Sequence, residues 1–183
     1  MIYSLSLQSV GIAVGVILLL GHAAAWVGTS SAMAFAKSFP RSRAAATLLL
    51  TIAVVWAFLL VQRVDLGEFS NLRQVMLIGI VAGAILSWLY VEEFLAARAL
   101  GMVLLLAAEV LLESAVLRTE PSRLLLVTLA YGWVVAGLFM VGMPYLARDA
   151  IKVVTASTTR WKLACLGGVG YGVALLVCAI LFW

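Results

Sequence analysis

Glu109 lies in Leu106-Ala107-Ala108-Glu109-Val110-Leu111, and no other charged residue falls between Arg98 and Glu113. A carboxylate inside so apolar a run is costly in a bilayer, which makes it a functional candidate by default. Glu113 follows at i+4, so both acids share one helical face. Two acids stacked that way can pass a proton or line a cation path. They can also hydrogen-bond neighbouring helices as polar glue. His22, the only histidine, sits among small residues in Leu20-Gly21-His22-Ala23-Ala24. A lone histidine with small neighbours suits a planar tetrapyrrole bound through one axial ligand. With no second histidine, a bis-histidine haem within the chain is excluded. The alternatives are a histidine hydrogen-bonded in the helical bundle, or a proton relay with Glu109.

A second group of charges lies between apolar runs. Glu92, Glu93 and Arg98 separate the third run from the fourth, and Arg148 and Asp149 follow Pro144-Tyr145 after the fifth. These five form a candidate rim for docking a partner. Exposed ion pairs contribute little stability, so solvated helix ends are the plainer reading.

Other chemistry lacks a motif. The chain has no CxxC, CxxCH, HExxH, GxSxG or Walker sequence. Cys165 and Cys178 are thirteen residues apart in one apolar run. That is roughly 20 Å along a helix, too far to bridge.

The elements that must position these residues are membrane spans. Of 183 residues, 66% are hydrophobic and 11% charged. A soluble domain of this size has too much surface to hide so many apolar side chains, whereas lipid solvates them directly. The runs are roughly 7–27, 44–62, 74–90, 99–117, 124–146 and 163–183. Each is near the roughly 20 residues that cross the hydrocarbon core as a helix. They are too long and too uniformly apolar for barrel strands. The first run lacks the basic flank of a secretory signal and is read as a retained helix. The fold expected is an all-α integral membrane protein: a single domain over 1–183, six transmembrane helices and no soluble domain. Five spans result if the third and fourth runs form one bent helix. The longest connection, about 147–162, contains the polar stretch Thr155–Thr159 and is expected to form a short interfacial helix on the cytoplasmic face.

Three runs carry GxxxG: Gly11 with Gly15, Gly79 with Gly83, and Gly168 with Gly172. Small residues let helices approach closely in lipid, so these glycines are expected to pack helices within the chain. Docking onto a partner and close approach of a flat ligand are the alternatives. Gly132, Gly137 and Gly142 recur every five residues and make no single face. Trp26, Trp88, Tyr90, Tyr145, Trp161 and Trp183 fall near the ends of runs, as an aromatic belt does.

The net charge is +4. Its basic residues sit in short connections and not in a run with interleaved aromatics, so no nucleic-acid partner is expected. Lys37, Arg41, Arg43, Arg98, Arg148, Lys152, Arg160 and Lys162 fall on one side of a six-span topology. Arg63, Arg73, Arg118 and Arg123 fall on the other. The positive-inside rule makes the first side cytoplasmic and puts both termini outside. A bacterial inner (plasma) membrane is expected.

The partners expected are the lipid bilayer and other membrane protein subunits. The function expected is that of a non-catalytic helical subunit of a larger membrane complex, without a cofactor. One alternative is a small transporter or proton-conducting homo-oligomer using Glu109 and Glu113. Another is a pigment- or haem-binding subunit with His22 as metal ligand.

Overall fold

The computed structural model describes residues 3–91 and 94–183. Among these, eight α-helices occur and no strand: α1 (Leu7–Val27), α2 (Thr29–Ser38), α3 (Arg43–Arg63), α4 (Arg73–Tyr90), α5 (Leu95–Ala115), α6 (Arg123–Gly142), α7 (Pro144–Val154) and α8 (Thr158–Leu181). Six are long and apolar enough to cross a membrane: α1, α3, α4 with the 3-10 turn before it, α5, α6 and α8. The chain is an all-α membrane bundle. Helix is the state lipid demands, because every backbone N–H and C=O must find a partner within the segment. Hydroxyls follow the same logic. Thr47, Thr128 and Ser114 donate to the carbonyls of Arg43, Leu124 and Leu111 at 2.9, 2.8 and 2.8 Å.

Helix ends are set locally. Ser6, Ser42 and Ser157 accept from the backbone N–H three residues on, which starts α1, α3 and α8. Pro144 opens α7, where its missing N–H removes nothing. Six separate spans form, not five. α4 stops at Tyr90, and Phe94 adopts a left-handed conformation (φ +56°) immediately before α5. The turn does not lay α4 against α5; the two hardly touch, and both pack on α3.

The most extensive packing joins α1 to α8 and α5 to α6. Between these pairs, Leu7, Val10 and Val14 of α1 meet Ala108 and Leu111 of α5, Leu126 and Ala130 of α6 and Leu175 of α8. Leu126 and Leu175 are fully buried. α3 lies on α5, and α4 lies on α3 at the margin of the bundle.

The expected glycine faces divide. Gly15 and Gly172 face each other across α1 and α8: a Cβ on Gly172 would stand 2.9 Å from Gly15 O and 2.8 Å from Leu19 N. Gly11 lies under the Trp183 ring, and Gly168 under the ring of His22. Gly79 and Gly83 of α4 depart from the expectation. A Cβ on either would meet nothing within 4 Å, and no α4 residue is buried. A seam not expected joins Gly101 of α5 to Gly137 of α6. A Cβ on either would stand 2.8 Å from the other's carbonyl oxygen.

Two short helices complete the fold. α2 was not anticipated. α7 is the short helix expected in the 147–162 connection; it ends at Val154, ahead of the Thr155 stretch, and α8 begins at Thr158.

Candidate functional site

Ionisable and polar side chains gather at the two ends of the bundle. One end carries Tyr3, Glu109, Glu113 and Trp56. α5 begins four residues earlier than its apolar run, so Glu109 is not central. It lies six residues from the helix's last residue, Ala115, about 9 Å by helical rise. Glu113 accepts the backbone N–H of Tyr3 at 3.1 Å through Oε1 and 3.4 Å through Oε2. Trp56 of α3 donates its indole N–H to the Tyr3 hydroxyl at 2.7 Å. The N-terminal segment is thereby tied to α5 and α3 by one side chain and one backbone group. Burial pushes the Tyr3 phenol above its ordinary value. The Trp56 hydrogen bond opposes this, and the negative charges of Glu109 and Glu113 add to it. Tyr3, Trp56, Val55, Leu59 and Arg63 line an open apolar groove of about 500 Å³ beside the cluster.

His22 lies in the other half of the bundle, five residues before the end of α1. Its Nδ1 is 2.8 Å from Leu18 O, so Nδ1 carries the proton and donates. Its ring rests on Gly168 of α8. The structure does not bring His22 to Glu109. Trp161 extends the same seam by donating to Ala25 O at 3.0 Å, and Lys162 stands over the Trp26 ring, 5.7 Å from its centroid. α8 thus covers one face of the His22 ring, and the side chain is half-buried. Among the described residues, no three His, Cys, Asp or Glu side chains group as a metal site.

The basic end gathers the second group. Glu92 and Glu93 lie outside the described residues. Arg98 stands in the first turn of α5, its Nε buried without a hydrogen-bond partner among the described residues. Arg148 and Asp149 are brought together: Nε donates to Oδ1 at 2.8 Å, and Lys152 Nζ lies 3.8 Å from the same oxygen. The Arg148 guanidinium holds the Asp149 carboxyl below the usual carboxylate range. Arg41 and Arg148 both stand over the Phe94 ring, 5.9 and 5.8 Å from its centroid. Phe94, Arg41, Lys37 and Lys152 had no place among the candidates. The cue in the sequence was the spacing of four cations across two connections, but nothing in it showed that Phe94 would gather them.

No protein family, curated protein or solved structure gives a significant match to this chain.

Proposed function

We propose that this chain is a non-catalytic helical subunit of a larger membrane assembly, held to a neighbouring polypeptide through α4. The observation that carries the reading is the contrast on α4 itself. It is a membrane-length helix with a GxxxG pair, no buried residue and open space over both glycines. Apolar burial gives helices little reason to associate in lipid, so close backbone approach at small residues supplies the contact. The glycines of α1 and α8 obtain that contact within the chain; those of α4 await a helix from outside it. In this reading the membrane is a bacterial plasma membrane, and the basic end faces the cytoplasm under the positive-inside rule. The test is mild solubilisation of the native membrane. Other polypeptides should accompany the chain in fixed ratio, and a lone chain or pure homo-oligomer refutes the reading.

A second reading is proton or cation conduction through Glu109 and Glu113. It is favoured by the place of Glu109 one turn from Glu113, which accepts the Tyr3 amide at one end of the bundle. Here Glu109→Gln abolishes flux in proteoliposomes while the protein still folds; unchanged flux sinks it.

A further inference from the structure

At the basic end, α2 with its following 3-10 turn (Phe39–Arg41), Phe94 and α7 enclose a pocket of about 550 Å³. Lys37, Arg41, Arg148 and Lys152 line it, together with Phe94 and Ile151. The volume is that of a small-molecule site. Against these four cations, the described carboxylate in contact is Asp149, which pairs with Arg148 and Lys152. Glu92 and Glu93 precede Phe94 in sequence and lie outside the described residues. Phe94 is the organiser. Its left-handed backbone sets it at the α4–α5 turn, and its ring holds one guanidinium from each of two separate connections. Cation–π contact orients each arginine through its face and gathers like charges; Arg148 gives its Nε–H to Asp149, which leaves its terminal N–H groups to a ligand.

We propose that this pocket binds a phosphate-bearing anion, and that the phosphate is the headgroup of an anionic phospholipid. Guanidinium forks pair with phosphate oxygens in bidentate geometry, and lysine adds point charge. The position at the ends of the spans points to lipid over free phosphate. The pocket lies where α4 ends and α5 begins, alongside a short helix that follows a span and carries the exposed apolar side chains Tyr145, Leu146 and Val153. Headgroups occupy that level, and basic pockets between helix ends are where they are held.

The full chain, purified and delipidated in detergent, decides the matter by thermal midpoint and native mass spectrometry. Phosphatidylglycerol, phosphatidylcholine and inorganic phosphate are the probes. The expected result is retention of phosphatidylglycerol and a raised midpoint, with neither effect from phosphatidylcholine. Arg41→Gln combined with Arg148→Gln should weaken phosphatidylglycerol binding about tenfold, as loss of charge-assisted hydrogen bonds does. Lys37→Gln with Lys152→Gln removes two exposed cations without removing packing and should weaken it in the same direction. Arg160→Gln with Lys162→Gln, at the same end but off the pocket, should change it less than about twofold. Equal loss in this control pair means diffuse surface attraction and overturns the site. Equal retention of phosphatidylcholine overturns it too, and so does a response to inorganic phosphate alone, which removes the lipid assignment.

Discussion

Gly172 and Gly83 each end a GxxxG pair in a membrane-length helix, and they meet opposite surroundings. Around Gly172, the backbone of α1 comes so close that a methyl group would stand 2.8 Å from Leu19 N. Around Gly83 there is nothing within 4 Å. The same residue pattern therefore closes one helix pair and leaves another face open. The difference lies in position: α8 has α1 beside it, whereas α4 lies at the margin and, among the described residues, packs chiefly on α3. A small-residue motif tells how near two helices can come. It does not tell which helix arrives.

The sharpest way to break the comparison is to fill the closed seams. Gly101→Leu should destabilise by about 3 kcal/mol or more, because the obstructing atom is the Gly137 carbonyl oxygen and backbone cannot move aside cheaply. A thermal midpoint, or loss of a monodisperse detergent peak, reads this out; a wild-type midpoint would mean that α5 and α6 are not in close contact. Next in size is Trp56→Phe. It removes the donor to the Tyr3 hydroxyl and should cost about 1 kcal/mol. Hydrogen exchange at the Tyr3 amide, which Glu113 accepts, should quicken with it. Unchanged exchange would show that the N-terminal segment is held by other contacts. The smallest effect belongs to the open face. Gly79→Leu with Gly83→Leu should leave the isolated chain's stability within about 0.5 kcal/mol, as surface changes do. A large loss would place α4 inside the chain's own packing.

The spans were legible because apolar length is a direct demand of the bilayer. Arg43–Arg63 and Arg73–Tyr90 differ from the runs 44–62 and 74–90 by a single residue at most at each end. α5 slid further, to Leu95–Ala115 instead of 99–117. Phe94 can open the helix early, and Val116 leaves it in extended backbone. That slide moves Glu109 towards one end and away from His22. α2 was illegible because Thr29–Ser38 is neither long nor apolar enough to signal a span. It follows α1 after Gly28 alone. The Gly101–Gly137 contact escaped for a different reason: each helix supplies one glycine, and a repeat within a single helix is the wrong signal for a pair formed between two. The candidate rim was legible as charge. Its geometry was not, since Phe94 gathers arginines from connections that are remote in sequence.

The central claim is that α4 faces another polypeptide. The most direct test is the mass and subunit composition of the particle extracted gently from its native membrane, for the wild type and for Gly79→Leu with Gly83→Leu. The account predicts several different chains in fixed ratio for the wild type, and a folded chain released from them in the variant. A wild-type particle containing this chain alone, or partners that the variant retains in full, would contradict it.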